Sequence, residues 1–245
     1  MRRNTLLVLG AKSDIGIAIA HRFAKEGYDV QLVARNSDSL KDDCFDISLR
    51  YGVNATFYEL DALDLESHPK LISSLTKIPD IAVYAIGALG KQEEDENDIE
   101  KSIEIIRTNY EGLVSIFGII ANYFKKRGSG TLIGISSVAG DRGRASNYIY
   151  GSSKAGVSSF LSGLRNRLYP FGIDVITVKP GFVRTKMTSN LKLPQKLTTN
   201  PQTVAKSIYH AYKYRKNIIY VRPIWRYIMQ FIKLIPESFF KKMKL

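Results

Sequence analysis

Short, continuously apolar runs alternate with longer segments of helical periodicity along most of the chain. Seven runs have the length of a β-strand, namely Thr5–Gly10, Asp29–Ala34, Ala55–Leu60, Ile81–Ala85, Thr131–Ser136, Asp174–Lys179 and Asn217–Val221. Helical segments lie between them, the clearest at Ile15–Glu26, Ile99–Lys126 and Tyr150–Leu168. Strands without polar alternation are typical of a sheet that helices cover on both faces. The pattern predicts an α/β fold with a doubly wound, seven-stranded, mainly parallel sheet and right-handed crossovers.

The pattern changes after the last predicted strand. An apolar stripe recurs there at helical spacing and Pro236 interrupts it; its members are Trp225, Tyr227, Ile228, Phe231, Ile232 and Ile235, followed by Phe239 and Phe240. Six lysines and arginines but only one acidic residue lie between Arg222 and Leu245. We predict one domain, residues 1–222, and a basic amphipathic tail, residues 223–245. Such a helix suits an anionic membrane surface, but its apolar face could instead pack on a substrate pocket or a neighbouring subunit.

Composition limits the classes of protein that fit this pattern. A chain of 245 residues with 44% hydrophobic residues can bury one sizeable core. The one cysteine, Cys44, excludes an internal disulfide and suits the reducing cytoplasm. The three histidines stand singly in the sequence, so no metal site is predicted. No apolar run reaches membrane-spanning length, and the run that follows Arg2 and Arg3 is too short for a signal peptide.

The net charge of +13 indicates an anionic partner. A phosphate-bearing cofactor, a nucleic acid and a membrane surface all meet that description. Nucleic-acid binding is not expected, because the sequence contains no recognition motif and no basic strand interleaved with aromatic residues. The cofactor and the membrane surface remain.

The turn after the first strand has the composition of a phosphate-binding loop. Gly10 and Gly16 frame Lys12, Ser13, Asp14 and Ile15, and a predicted helix follows. Glycines permit the sharp turn and the close approach of helix and strand, while the helix N-terminus offers backbone amides to a pyrophosphate. The turn therefore predicts a dinucleotide site. The carboxylate of Asp14 would be repelled by a pyrophosphate, so it must cap the helix or point away.

The ends of the second and third strands bear on which dinucleotide binds. An acidic residue at the end of the second strand would bind the ribose 2′-hydroxyl of NAD, whereas an arginine accommodates a 2′-phosphate. Arg35 occupies this position, no acidic residue is present there, and Lys12 lies in the first turn. The sequence favours NADP(H) and leaves NAD(H) open, since Arg35 could also be an ordinary surface residue. Asp61 and Ala62 follow the third strand and are placed to meet the adenine.

Tyr150 and Lys154 form a candidate acid/base pair. Residues four apart on a helix share a face about 6 Å apart along the axis, so the lysine cation can lower the tyrosine pKa from its usual value of about 10. Ser137, at the end of the preceding strand, could hold the oxygen that exchanges the proton. The spacing alone is weak, because two pairs on a later helix repeat it and are interpreted as a solvated face: Tyr209 with Lys213, and Tyr212 with Lys216.

In these motifs the chain resembles the short-chain dehydrogenase/reductase family almost from end to end. The resemblance implies a Rossmann-type fold and an NAD(P)-dependent enzyme acting on a CH–OH group. It carries over onto Ser137, Tyr150 and Lys154 as catalytic residues, and onto Asn109, which would hold a water linking Lys154 to solvent. Tyr150 and Lys154 would also contact the cofactor. The remaining positions match the segments around the cofactor, namely Gly10, Gly16, Asp61, Gly87, Pro180, Gly181, Val183 and Thr185.

Two departures from the family pattern affect the cofactor side. Asp14 replaces the middle glycine of the phosphate turn, and Tyr84-Ala85-Ile86 stands where the family has Asn-Asn-Ala before Gly87. The hydrogen bonds that asparagine makes there must be replaced by others. Neither change touches the group that transfers the proton.

Three residues are candidates for the substrate side: Leu89, Arg142 and Arg144. The arginines could bind a phosphate or sugar hydroxyls, or could be surface residues. Within the family, the chain is most similar to the decaprenylphosphoryl-2-keto-pentose reductases, in the segments Asp61–Asp64, Ser67–Lys70, Leu89–Gly90, Tyr150–Ser152, Trp225–Tyr227 and Ile235–Pro236.

That similarity implies a polyprenyl-phosphate-linked 2-keto-pentose as substrate, reduced to the arabinose form for cell-envelope polysaccharide. A partner oxidase would make the substrate, and the enzyme would lie peripherally on the cytoplasmic face of the membrane. A homo-oligomer is expected from the family. The alternatives are a soluble reductase of a small carbonyl, steroid or acyl-thioester, and a non-catalytic protein that senses NADP.

Overall fold

The computed structural model describes residues 3–243, and over these residues seven strands form one parallel sheet in the order β3-β2-β1-β4-β5-β6-β7. The strands are β1 (Thr5–Leu9), β2 (Asp29–Ala34), β3 (Ala55–Glu59), β4 (Ile81–Tyr84), β5 (Gly130–Ile135), β6 (Ile173–Pro180) and β7 (Ile218–Val221). Each predicted strand is present, with ends that differ by at most one residue. The prediction of a doubly wound sheet is confirmed, and the order reverses beside β1, where such folds bind ligands.

Helices cover both faces of the sheet. They are α1 (Asp14–Ala24), α2 (Lys41–Tyr51), α3 (Ser67–Ser74), α4 (Gln92–Asp95), α5 (Ile99–Ile106), α6 (Gly112–Arg127), α7 (Tyr148–Leu168), α8 (Pro201–Lys213), α9 (Ile224–Leu234) and α10 (Glu237–Phe240). α1, α2 and α8 pack on one face, against Leu6, Val8 and Leu32. α3, α6 and α7 pack on the other face, against Leu7 and Leu9. Consecutive residues of β1 therefore enter opposite cores, which is why the strand is apolar at every position.

The predicted helix Ile99–Lys126 is interrupted. A π-helical turn, Arg107–Glu111, separates α5 from α6 and contains Asn109. Such turns insert one extra residue per turn and are common at functional sites. The apolar periodicity on either side of the turn gave no signal of the interruption.

The tail packs with one face and leaves the other exposed. Trp225 and Met229 of α9 are buried against Val138, whereas Tyr227, Phe231 and Leu234 are 66%, 71% and 80% exposed. The predicted stripe therefore combines two faces of one helix. No helix within residues 3–243 is long and apolar enough to span a bilayer. The predicted boundary at residue 222 stays a prediction, and Arg2, Lys244 and Leu245 lie outside the described residues.

The two later pairs, Tyr209 with Lys213 and Tyr212 with Lys216, differ from the prediction, and Lys216 lies beyond the end of α8. Their lysines are exposed, but Tyr209 and Tyr212 pack on Phe23 of α1, and Tyr209 donates a hydrogen bond to Glu26 over 3.0 Å. The interpretation of this face as simply solvated is wrong for the tyrosines. Their rings complete the contact between α1 and α8, which the spacing of tyrosine and lysine does not reveal.

Candidate active site

The phosphate turn has the geometry that its glycines predict. Gly10 adopts a positive φ of 91°, and a Cβ there would come within 2.7 Å of the Ile86 backbone nitrogen. A Cβ at Gly16 would collide with the Gly10 carbonyl. Ser13 caps α1, because its Oγ accepts a hydrogen bond from the Gly16 N–H at 3.0 Å. The turn is therefore open to close approach by a ligand at the N-terminus of α1.

Asp14 points away from this turn. Its carboxylate oxygen Oδ2 accepts a hydrogen bond from the Lys186 backbone N–H at 2.6 Å, across 172 residues of sequence. The repulsion expected between Asp14 and a pyrophosphate is thus reduced by the orientation of the side chain. Ser13, and not Asp14, caps the helix.

The residues predicted for the adenosine side line one groove of about 570 Å³. Lys12, Arg35, Asp61 and Ala62 all lie along it, with Lys12 and Arg35 exposed. Glu59 also lines the groove, and sequence analysis missed it. Its carboxylate accepts hydrogen bonds from the Asn36 and Ser37 N–H groups at 2.9 and 2.7 Å, and the Ser37 bond is the main cause of its lowered pKa.

Glu59 therefore fixes the backbone immediately after Arg35. The sequence gives no signal that Glu59, the last residue of β3, holds this backbone, because its two partners lie in the turn after the neighbouring strand β2.

The four predicted catalytic residues meet at a second cavity of about 290 Å³, beyond the carboxyl ends of β1, β4 and β5. Ser137, Tyr150, Lys154 and Asn109 line it. Many of the predicted cofactor residues line it too, namely Lys12, Ser13, Asp14, Ile15, Gly87, Pro180, Gly181, Val183 and Thr185. A phosphate turn, an adenosine groove and a polar reaction site are thus contiguous, and this arrangement fits a dinucleotide.

Burial controls the electrostatics of the predicted catalytic group. It raises the pKa of Tyr150, and the contact with the Ser137 hydroxyl offsets only part of the rise. It also lowers the pKa of Lys154 from 10.5 to about 8. The Lys154 Nζ lies 5.7 Å from the Tyr150 ring centre and donates to the Ile135 carbonyl at 3.1 Å. The prediction that Lys154 lowers the Tyr150 pKa stays a prediction; in this structure burial is the main cause of the shift in the tyrosine pKa.

Asn109 is completely buried and holds the segment beside Lys154. Its Nδ2 donates to the Ala88 carbonyl at 2.8 Å, and its Oδ1 accepts from the Ala88 N–H at 3.1 Å. Any Cβ on Gly87 would come within 2.8 Å of the Asn109 Oδ1 and 3.4 Å of the Lys154 Nζ. The glycine is required here for close packing, and the predicted water at Asn109 stays a prediction.

Tyr84 supplies a hydrogen bond where the family pattern has asparagine. Its ring is buried, and its hydroxyl donates to the Thr108 carbonyl at 2.9 Å. Thr108 lies in the π-helical turn and directly precedes Asn109. Although Tyr84 departs from the family pattern at the end of β4, its hydroxyl therefore connects this strand with the turn that carries Asn109.

The predicted substrate residues do not line the catalytic cavity. Arg142 binds the tail instead: its guanidinium donates to the Ile232 and Ile235 carbonyls, each at 2.6 Å, pairs with Glu237 at 2.8 Å and lies over the Phe240 ring. Satisfying the last carbonyls of α9 is the physical reason for this placement.

Arg144 and Leu89 have other surroundings. Arg144 lines a small separate cavity of about 280 Å³ together with Lys241 and Phe240, and burial lowers its pKa. Its Nε is buried and has no hydrogen-bond partner among the described residues. Leu89 is half-buried. Residues 3–243 contain no cluster of His, Cys, Asp and Glu able to hold a metal ion.

Comparisons with known proteins give similarity over nearly the whole chain. A family model described as short chain dehydrogenase matches residues 4–196. An uncharacterised oxidoreductase of Mycobacterium tuberculosis is 33% identical over 241 residues, 97% of this chain and 96% of the relative. An NADP-dependent 3-hydroxy acid dehydrogenase of Schizosaccharomyces pombe is 28% identical over 232 residues, 88% of this chain and 89% of the relative. A solved short-chain dehydrogenase of Sphingobium yanoikuyae, in complex with NADPH, superposes with a TM-score of 0.80 at 23% identity, covering 96% of this chain and 97% of that chain.

Proposed function

Because this chain belongs to the short chain dehydrogenase family, we propose that it is an NADP(H)-dependent oxidoreductase that interconverts a ketone and a secondary alcohol. The observation that carries the proposal is the meeting of Ser137, Tyr150 and Lys154 at one cavity, contiguous with the phosphate turn. A non-catalytic NADP sensor would not need all three residues at the same cavity.

The preference for NADP(H) is supported by charge. Lys12 and Arg35 provide two exposed cations along the adenosine groove, which suits a 2′-phosphate. The NADP dependence named for the fission-yeast relative and the NADPH bound by the Sphingobium enzyme agree with this choice. Competition of NADPH and NADH for the purified protein tests it. Tighter binding of NADH would contradict the proposal.

In the proposed reaction, the chain's residues manage the proton and the oxygen. The nicotinamide, when bound, supplies or accepts the hydride. Tyr150 donates its proton to the carbonyl oxygen during reduction, and Ser137 donates a hydrogen bond that stabilises the charge developing on that oxygen. Lys154 would hold the nicotinamide ribose from the same cavity, as in the family.

Replacing Tyr150 with phenylalanine tests the assignment. General acid catalysis contributes about 10²–10⁴-fold, so Tyr150→Phe should lose turnover by that factor and still bind NADPH with unchanged affinity. Tyr209→Phe is the matched control, because Tyr209 and Lys213 have the same spacing but lie outside the cavity, and it should keep full activity. Retained turnover in Tyr150→Phe would overturn the assignment.

For the substrate, we propose a polyprenyl-phosphate-linked 2-keto-pentose, reduced to the arabinose form by an enzyme that lies on the cytoplasmic face of the membrane. The exposed outer face of α9 supports contact with lipid, and the cations of the tail support an anionic leaflet. Arg144, with an unpartnered buried Nε and Lys241 nearby, suits a phosphate. A partner oxidase would supply the ketone.

Oxidation of NADPH in the presence of the lipid-linked keto-pentose tests this substrate directly. The expected result is consumption of NADPH that Tyr150→Phe abolishes and Arg144→Ala weakens through KM. Turnover of a short-chain ketone, steroid or acyl-thioester with none of the lipid-linked sugar would favour the soluble-reductase alternative. That outcome would leave the catalytic assignment intact.

We also propose that the protein forms a homo-oligomer. Ile99 of α5 is 73% exposed, and with Ile103 and Tyr148 it lines a groove between α5 and α7. A second copy of these helices would cover the groove. Sedimentation velocity tests the proposal, and a monomer at micromolar concentration would contradict it.

A further inference from the structure

Asp14 has a function that its place in the phosphate turn does not suggest. Residues 183–199, called the flap here, leave the sheet after β6 and return beside Val183, where Val183 and Thr199 pair. The first part of the flap, Thr185–Thr188, forms a wall of the catalytic cavity. Lys12–Ile15 line the same cavity. Within residues 3–243, the bond from the Lys186 N–H to the Asp14 carboxylate is the one hydrogen bond that joins the phosphate turn to the flap.

The bond satisfies a group that would otherwise lack a partner. Lys186 is the first residue of a short 3₁₀ helix, Lys186–Thr188, whose first N–H groups have no acceptor within the helix. Thr188 closes the other end by bonding back to Thr185 and Val183. The turn is therefore closed by its own hydrogen bonds, and the Asp14–Lys186 bond joins it to the start of α1. A carboxylate is well placed for this at the N-terminus of α1, where the helix dipole stabilises negative charge.

We propose that Asp14 is a positioning residue that holds the flap against the cofactor cavity, so that the cofactor leaves only when the Asp14–Lys186 bond opens. The carboxylate lies at the boundary between the catalytic cavity and a wider groove of about 710 Å³ between α1 and α8. Release of this bond would join the two spaces at the cavity mouth. The inference rests on dinucleotide binding in the cavity and is independent of the proposed sugar substrate.

Substitutions at both ends of the bond separate its effect from simple charge. Asp14→Ala removes the acceptor, whereas Asp14→Asn keeps an oxygen acceptor and removes the charge. Lys186→Pro removes the donor N–H and leaves Asp14 intact; Thr185 is extended, with φ −141° and ψ 170°, which tolerates a following proline at the first helical position. Lys186→Ala is its matched control, because it keeps the N–H. Asp42→Ala, an exposed acid in the first turn of α2, is the control for Asp14→Ala.

Two measurements report on the flap without enzymatic activity. The first is the rate of limited trypsin cleavage after Lys192 and Lys196 in the protein alone. The second is the rate of NADPH release, followed by fluorescence in stopped flow. A charge-assisted hydrogen bond in a partly exposed position is lost with Asp14→Ala, so both rates should rise about tenfold. Asp14→Asn should stay within about threefold of the unmodified protein.

Lys186→Pro and Lys186→Ala lack the same side chain, so Lys186→Pro should exceed Lys186→Ala in both rates by the factor seen for Asp14→Ala. Asp42→Ala should leave both rates unchanged. Asp14→Ala combined with Lys186→Pro should give rates of cleavage and NADPH release no higher than those of either single variant, because both substitutions remove the same bond. If Asp14→Ala does not fold, the comparison of Lys186→Pro with Lys186→Ala decides alone. Unchanged trypsin cleavage, or slower NADPH release in Asp14→Ala, would overturn the proposal. Failure of the unmodified protein to bind NADPH would instead contradict the proposed function, and the trypsin cleavage rates would still test the Asp14–Lys186 bond.

Discussion

Lys154 is 4% exposed and has a pKa near 8, so its charged form is disfavoured in the folded protein. The unfolded chain, with a pKa of 10.5 at this lysine, binds more protons than the native state between these two pH values. Stability therefore rises with pH across that window. The burial of this lysine destabilises the native state most at pH values below 8.

A neutral side chain at position 154 should remove this pH dependence. The free energy of unfolding of the unmodified protein, relative to Lys154→Met, should increase by about 2 to 3 kcal/mol between pH 7 and pH 10. Urea unfolding at these pH values measures the difference. Lys213→Met, which removes an exposed lysine, should give no such increase, and a flat difference for Lys154→Met would contradict the shifted pKa.

Single residues also mark the limit of what the sequence predicts. That Tyr150, Lys154 and Ser137 line one cavity could be predicted, because their spacing and order are fixed by one helix and one strand end. The partner of Asp14 is 172 residues away, and that of Arg142 is at the far end of the chain, so no local pattern reveals either bond. Glu59 was missed for the same reason.

At the scale of elements, the π-helical turn and β4 form one unit. The Tyr84 hydroxyl bonds the Thr108 carbonyl, and Asn109 bonds Ala88, so two hydrogen-bonding side chains join the same two segments in opposite directions. This connection positions Gly87 beside Lys154. Strand and helix ends could be predicted within a few residues, but this junction depends on contacts across the sheet edge.

Removing the Tyr84 hydroxyl should loosen that junction. Tyr84→Phe should lower the free energy of unfolding by about 1 kcal/mol, the usual net value of a buried hydrogen bond. Amide hydrogen exchange in Arg107–Leu113 should accelerate at the same time. Tyr28→Phe, which removes a tyrosine hydrogen bond to Tyr212, is the control and should leave exchange in this turn unchanged. If amide exchange in Arg107–Leu113 is no faster in Tyr84→Phe than in the unmodified protein, the Tyr84 hydroxyl does not position this turn.

The sequence pattern predicted the helix in the tail correctly, but it did not separate the face of α9 that is buried from the face that is exposed. The inner face of α9 packs through Trp225 and Met229 on Val138, and Trp225 also lies against Gly181, which lines the cavity, whereas the outer face is exposed. Deletion of the tail would therefore uncover Val138 and damage the site. Substitution on the outer face is the cleaner experiment.

For the whole molecule, the expected partner of that outer face is an anionic bilayer. Joint replacement of Tyr227, Phe231 and Leu234 with glutamine should lower binding to vesicles containing anionic phospholipid at least about tenfold, with NADPH binding unchanged. Binding of the unmodified protein should weaken as salt rises, given the net charge of +13. Phe45 and Leu49 of α2 are comparably exposed, so their replacement is the control. Undiminished binding of the triple variant would refute the outer face as the contact.

The position of Trp225 gives the protein a built-in optical reporter. It is the chain's single tryptophan, it is buried, and its indole lies directly against Gly181, where no Cβ could be accommodated. Its emission therefore arises from one place, between the tail and the Pro180–Gly181 segment that is predicted to lie beside the cofactor. The near-ultraviolet absorption of a reduced nicotinamide overlaps indole emission, so cofactor arrival should quench the signal. Detachment of the tail should instead shift it to longer wavelength.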